Sequence, residues 1–353
     1  MKRPTMVDIA RRAGVTKSAV SFALNGRPGV SETTRARVLA IADELGWQPN
    51  SAARALSDGK AGAFGLVVDR PARSLGIEPF FMQLLSGIQS ELSEDGTSLL
   101  FTVAAGVEAE TAAYRTWWAQ RKVDGVFLVD MRVDDPRVRA LEELRLPAVV
   151  IGSPGAAGSL PTVWSDDAAG VRTAVTHLAD LGHRSIAHVT GPADLRHSVT
   201  RAEAFTAATA ERGVTGRNVE ADYSGEQGFA ATRALLEGDE RPTAILYDND
   251  VMAVSGLSAA QSLGVRVPDE LSLVAWDDSP LCELVHPGLT ALRRDIAAYG
   301  ALAARHLRDV ASGRTVEHRR IPDATLTVRD STAAPTPDDT AVFSKALGRK
   351  PRR

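Results

Sequence analysis

The sequence predicts an α/β protein: an N-terminal all-α helix-turn-helix unit followed by two doubly wound parallel-sheet subdomains. Three observations predict it. From residue 62 onward, apolar runs of strand length alternate with helix-length stretches, while residues 5–47 carry short capped helices and no strand-like run. At 353 residues the chain is too long for one ordinary domain. The charge is also divided: residues 1–60 hold ten Lys or Arg against five acids, a balance of +5, which leaves −8 for the rest of a chain whose total is −3. A basic end on an acidic body suits contact with a polyanion.

The first block is "MVDIARRAGVTKSAVSFALNGRPGVSETTRARVLAIADELGW", residues 6–47. Thr5 stands as the N-cap of a first helix, with Asp8 three residues on, Ile9, Ala10 and Ala13 as its apolar face, and Gly14 as its stop. Thr16 caps a second helix. Ala19, Val20, Ala23 and Leu24 form its buried stripe and leave Lys17, Ser18, Ser21 and Phe22 on other faces. The third runs from Ser31 to Leu45, with Val38, Leu39, Ala42 and Leu45 facing in and Gly46 as its end. Three short helices with a tight turn between the first two make a helix-turn-helix, whose second helix suits a DNA major groove; a protein-contact bundle is the alternative.

Residues 48–62, "QPNSAARALSDGKAG", hold one short helical pattern, 50–57, too short to be stable alone in water. A hinge that folds only when docked fits this pattern, with Leu56 as an apolar wedge in a minor-groove base step; a plain linker is the other reading. Together, "DIARRAGVTKSAVSFALNGRPGVSETTRARVLAIADELGWQPNSAARAL" closely resembles the headpiece and hinge of the lactose-repressor/galactose-repressor (LacI/GalR) family of bacterial transcription regulators, and the match continues to about residue 330. The resemblance implies a double-stranded operator as partner. It implies that Lys17 and Ser18 read bases and that Thr5, Ser21, Asn25, Ser31 and Thr34 hold phosphates or anchor helices. Asn50, Ala53 and Leu56 would belong to the hinge at the operator centre. Phe22 departs from the Arg common in the family; it cannot donate to guanine, though it can pack on a thymine methyl.

The body begins with the runs "AGAFGLVVD", "GTSLLFTVA", "VDGVFLVD" and "LPAVVIG", and continues with "TVWSDD", "SIAHVTG", "TAILYDND" and "ELSLVAWDD". Strands apolar throughout, with helices between, indicate parallel sheets covered on both faces. Such sheets bind ligands beyond the carboxyl ends of their strands, which singles out Asp69, Asp130, Gly152, Asp248 to Asp250 and Asp277. Carboxylates and amides there suit a polyhydroxylated ligand. The resemblance implies a periplasmic-binding-protein-like sensor in which Arg201 clamps the ligand and Asp277 binds its hydroxyls. Phe81, Asp130, Trp164, Tyr223 and Asn249 occupy other pocket positions. Asp250, directly before "VMAVSGL", reads as a helix N-cap. The small-molecule effector is expected to be a carbohydrate, with a purine as the runner-up and no cofactor.

Enzyme motifs are missing: the sequence has no HExxH, GxSxG or Walker A, and no GxGxxG after the first strand. His177, His183 and His188 are spaced so that they do not share a helix face, and His183 suits a contact with a helix C-terminus. A stand-alone sugar-binding protein and a sugar-processing enzyme are the readings from other classes. One cysteine, Cys282, excludes an internal disulfide and a thiolate metal cluster, and no run is long and apolar enough to span a membrane, so a cytoplasmic protein is expected. Reading a palindrome calls for a homodimer. The organisation expected is a headpiece at 1–48, a hinge and linker at 49–61, a ligand-binding and dimerisation domain at 62–331, and a disordered tail at 332–353 without leucine heptads.

Overall fold

The computed structural model describes residues 4–47, 60–71 and 75–336. The chain divides into two units, Met1–Ala61 and Gly62–Arg353. In the first, helices α1 (Met6–Ala13), α2 (Lys17–Leu24) and α3 (Glu32–Glu44) close on Ile9, Ala10, Ala13, Val20, Ala23, Val38, Ile41, Ala42 and Trp47. The caps carry much of the local order. The Asp8 carboxylate accepts from the Thr5 N–H at 2.9 Å and from its hydroxyl at 2.6 Å, and Gly14 ends α1 in the left-handed conformation at φ 66°. Arg35 donates to the carbonyl oxygens of Ala23 and Arg27 at 3.1 and 3.0 Å, so a cation closes the C-terminal end of α2. Leu39 is a correction: it is exposed, and Ile41 takes the inward position. The apolar stripe of α3 lies one step round the helix from the expected one.

The second unit holds two sheets. Strands β1 (Ala63–Val68), β2 (Ser98–Val103), β3 (Gly125–Leu128), β4 (Ala148–Ile151) and β5 (Thr162–Trp164) run parallel in the order β2-β1-β3-β4-β5. Strands β6 (Ser185–Thr190), β7 (Thr215–Glu220), β8 (Ala244–Tyr247), β9 (Ser272–Trp276) and β10 (Thr290–Arg293) repeat that order as β7-β6-β8-β9-β10. The edge beyond β5 is extended by β11 (Arg319–Arg320) in parallel, and the edge beyond β10 by β12 (Thr325–Thr327) antiparallel. Each sheet is covered on both faces. On the first, Phe64, Leu66 and Val68 meet the helices Pro79–Ser93 and Ile296–Ala311, while Val67, Val126 and Leu128 meet the Tyr114 and Trp117 side. Gly65 is required where it stands, because a Cβ there would lie 2.4 Å from the Trp117 ring.

The helix Ile296–Ala311 follows β10 of the second sheet yet packs on β3, β4 and β5 of the first. The chain therefore passes between the subdomains after Trp164, after Arg293 and between Arg320 and Thr325. Three strands linking the same two bodies make a hinge at one side of the cleft. Two more expectations change here. Residues 332–336 are docked rather than disordered: the Ala333 carbonyl accepts from the His183 ring, the Ala333 N–H donates to the Ser272 hydroxyl, and the Thr336 hydroxyl donates to the Asp269 carbonyl. His183 makes no charged contact with a helix end. Its ring is buried between Thr243, Ser272 and the Ala333 carbonyl, and burial pushes its pKa down to about 4, so it is neutral.

Candidate functional site

On the headpiece, Thr16 accepts from the Ala19 N–H at 3.2 Å and so fixes the start of α2, where Lys17 and Ser18 stand exposed. Phe22, one turn on, is 37% exposed, with its ring laid against Gly29. The remaining headpiece positions bind one another: Asn25 donates to the Ser21 hydroxyl at 3.4 Å, and Ser31 receives the Thr34 N–H at 3.3 Å as the cap of α3. Asn50, Ala53 and Leu56 lie outside the described residues. What α2 offers is an exposed cation, an exposed hydroxyl and an exposed ring on one rigid helix, a combination that can meet phosphates and base edges.

In the body, a cavity of about 160 Å³ lies between the two subdomains at the carboxyl ends of their strands. Phe81, Asp130, Trp164, Arg201, Tyr223 and Asp277 line it, all of them positions singled out in the sequence. Three of these hold left-handed backbone: Asp130 at φ 48°, Tyr223 at φ 66° and Asp277 at φ 62°. Each follows a strand end, where the turn swings the side chain into the cleft; for a residue as bulky as Tyr the conformation is costly and is held by its surroundings. The Tyr223 hydroxyl is fixed by His197 and Ser198, both at 2.8 Å.

Three buried guanidinium groups organise the floor. Arg201 donates to Asp167 at 3.0 Å and to the Asp248 carbonyl at 3.1 Å, with its plane 3.9 Å over the Trp276 ring. Arg294 donates to Asp277 at 2.8 Å and to the Ser165 hydroxyl at 3.1 Å. Arg70 donates to Asp130 at 2.8 Å, with the rings of Phe81 and Tyr223 at 5.8 and 4.8 Å. Burial alone would raise the carboxyls of Asp130 and Asp167, but their cations outweigh it: Arg70 for the first, Arg201 and Arg294 for the second. Both are held below the usual carboxylate range. The two walls also touch at an edge of the cleft, where Val133 N–H donates to the Asp194 carbonyl at 2.9 Å, Arg196 N–H to Met131 at 2.7 Å, and Arg132 pairs with both Asp69 and Asp194.

Residues 5–50 match the family described as bacterial regulatory proteins, lacI family, and residues 175–332 match the periplasmic binding protein-like domain. The HTH-type transcriptional regulator CelR of Thermobifida fusca is 33% identical over 337 residues, covering 94% of this chain and 98% of that relative. The chain belongs to the LacI family of transcription regulators. Among solved structures, this LacI-family chain is similar to the lac repressor dimer bound to operator and an anti-inducer, with a TM-score of 0.84 at 28% identity over 94% of this chain and 100% of that one. It is also similar to a CelR–cellobiose complex, with a TM-score of 0.71 at 31% identity over 93% and 100% of the two chains. The relatives are transcription regulators rather than enzymes, and among the described residues no helix is long and apolar enough to cross a membrane.

Against the expected site of this LacI-family chain, Asn249 is a correction. Its side chain caps the helix Asp250–Ser262 through the Met252 N–H at 2.8 Å and donates to the Tyr223 carbonyl at 3.0 Å, so it steadies the pocket from behind. The cap is therefore Asn249 and not Asp250, whose buried carboxyl is raised to about 7 by loss of water. Asp69 accepts from Gly106 and Arg132 instead of lining the cavity, and Gly152 lines it without a side chain. Sequence reasoning missed Arg70, Glu78, Asp167, His197 and Arg294. Asp167 sits inside the quoted "TVWSDD", and Arg294 follows β10, whose apolar run ends in the two cations Arg293 and Arg294 and was not among the strand-length runs read from the sequence.

Proposed function

We propose that the protein is a ligand-responsive repressor that binds a palindromic operator as a homodimer and senses a small molecule, a sugar, in the cleft. The observation that carries the effector half is the cleft itself, where paired carboxylates and guanidiniums stand beside the faces of Trp164, Phe81 and Tyr223. Such walls bracket hydroxyls with acceptors and donors and cover a sugar ring with an aromatic face. The likeness to a regulator solved with cellobiose supports a sugar over a purine. The DNA half is supported by the exposed Lys17 and Ser18 at the start of α2. Such a partner puts the protein in the cytoplasm.

The mechanism is linkage. A ligand that contacts both walls favours one relative orientation of the subdomains, and in a dimer that orientation sets whether residues 49–61 of the two chains fold over the minor groove. A coupling of ~1 to 3 kcal/mol is typical. A ligand that favours the bound arrangement is a corepressor; one that opposes it is an inducer. Selection from random duplex DNA by the full-length protein at near-physiological salt tests the reading, with enrichment of a palindrome of roughly 14 to 20 base pairs expected. Titration of the selected duplex with cellobiose and maltose then follows release or retention. No enriched sequence, with or without sugars, counts against the reading.

A further inference from the structure

Among the described residues, Glu78 is the cleft-lining side chain with a buried oxygen, Oε2, that has no hydrogen-bond partner. It precedes Pro79 at the start of the helix Pro79–Ser93, where a side chain ordinarily accepts from first-turn N–H groups, yet it makes no capping bond. Instead it is 8% exposed and lines the cavity. Burial pushes its carboxyl up to about 7, against the pull of Arg70 and with a push from Asp130, Asp277 and Asp250. A buried acceptor without a donor is costly to keep, so a donor from outside the chain is the natural partner. Beside it, among the described residues, Arg70 bonds Asp130 through Nε, and its two Nη groups are open to a ligand.

The charge around the cavity points the same way. Six carboxylates line it, those of Glu78, Asp130, Asp166, Asp167, Asp248 and Asp277, against four guanidiniums. Three of the four are already held: Arg70 by Asp130, Arg201 by Asp167, and Arg294 by Asp277. The fourth, Arg196, stands where the cavity meets a second groove whose wall carries five carboxylates, those of Glu108, Asp134, Asp135, Glu142 and Glu143, against Arg115 and Arg139. An entering phosphate or carboxylate meets that excess of negative charge: on the open Nη groups of Arg70 it faces the charges of Asp130 and Glu78, and on Arg201 or Arg294 it competes with a buried carboxylate already paired there. A hydroxyl pair meets none of this: one hydroxyl donates to Glu78 and its neighbour accepts from Arg70.

Resting on the reading of the cleft as an effector site, we infer that Glu78 is a ligand-contacting residue that, with Arg70, makes the cleft select uncharged polyhydroxylated effectors over their phosphorylated or carboxylated forms.

The test is calorimetric titration of the full-length protein and of Glu78→Gln with glucose, cellobiose and maltose, with glucose 6-phosphate and glucuronate, and with hypoxanthine and inosine monophosphate. The wild type is expected to bind an uncharged sugar and to reject its anionic counterpart. Glu78→Gln, which keeps the shape and removes the charge, is expected to weaken the neutral sugar about tenfold or more and to narrow the neutral-to-anionic ratio. Its unfolding midpoint without ligand should match or exceed the wild type, which separates a lost contact from a lost fold. Glucose 6-phosphate or glucuronate binding the wild type as tightly as glucose, or an unchanged neutral affinity in the variant, overturns the inference and leaves the sugar reading standing. Binding of hypoxanthine in place of every sugar overturns the sugar reading, and its ratio to inosine monophosphate then decides the charge rule. Silence across the panel overturns both.

Discussion

On the headpiece, Lys17, Ser18 and Phe22 stand exposed on one eight-residue helix, and the groups that hold that helix come from within the same short block: Thr16 at its start and Arg35 on the next helix, α3. In the cleft, Arg70, Arg201 and Arg294 lie buried, and each finds its carboxylate on a segment distant in the chain. The two regions solve different problems. A surface that meets DNA needs polar groups free in water and a scaffold stiff enough to aim them, which a capped helix supplies locally. A cleft that recognises a small molecule needs polar groups already desolvated and aimed, which only long-range pairing supplies. The body is accordingly expected to be sensitive to the loss of single polar groups, and the headpiece tolerant.

The largest effect should come from Arg137. Its guanidinium is buried, donating to Glu110 at 2.7 Å, to Asp135 at 2.6 Å and to the carbonyl of Asp130 at 2.7 Å, while Asp135 in turn accepts from the Arg132 N–H at 2.9 Å. One cluster behind the cleft thus holds both the left-handed Asp130 and the loop that touches the opposite wall. Arg137→Met strands two buried carboxylates and should cost the body about 3–5 kcal/mol, whereas the double variant Glu110→Leu/Arg137→Met should recover part of that loss. Urea unfolding of the wild type and the two variants at pH 7 measures it. A loss below 1 kcal/mol would break the contrast between the two regions.

That contrast also governs what could be read from the sequence. The headpiece was legible almost residue by residue because its caps, stops and apolar faces are local; Leu39 was misplaced because Leu39 and Ile41 flank the stripe of Val38, Ala42 and Leu45 on opposite sides, so the helical period admits either as its edge. The sheets were legible where strands are buried on both faces. β7, whose six residues are mostly exposed at a sheet edge, carries no apolar signal, and β11 and β12 are too short to show one. Phe81, Asp130, Trp164, Arg201, Tyr223 and Asp277 were found from strand ends and family likeness. Arg70, Glu78, Asp167 and Arg294 were not: Arg70 and Glu78 lie in the connection between β1 and its helix, past the one position the strand-end rule picked, while Asp167 and Arg294 stand at two of the passages between subdomains, a property of the whole fold.

A middle-sized effect is expected at His183. Its neutral, buried ring has a folded pKa of about 4 against an ordinary value of 6.5. Between those values the unfolded chain holds a proton that the folded chain lacks, so this group's contribution to stability falls as pH drops from about 6.5 to about 4. Glu78 and Asp250, both raised to about 7, act in the opposite direction: as pH drops from 7 toward 4.5, the folded state holds protons that the unfolded chain binds more weakly. The wild-type profile is therefore flattened by opposed terms, and the informative quantity is a difference. The stability gap between wild type and His183→Gln should narrow by on the order of 2 kcal/mol from pH 7 to pH 4.5. A gap that stays constant would mean that the ring is protonated in the fold.

The smallest effect belongs to the headpiece. Thr16→Ala removes one exposed acceptor from the Ala19 N–H and should cost about 1 kcal/mol. Thr16→Ser should cost almost nothing, since the oxygen is retained. The loss should be confined to α2, seen as faster amide exchange at Ala19 and Val20 with no change in the sheets, because the headpiece core of Ile9, Val20, Val38 and their neighbours is its own. Fraying at the start of α2 displaces Lys17 and Ser18 together, so affinity for a selected operator should fall about fivefold while sugar affinity holds. Operator affinity that survives with the cap gone would show that contact with DNA orders the first turn of α2, and the division between a locally aimed surface and a distantly aimed cleft would then hold for the cleft alone.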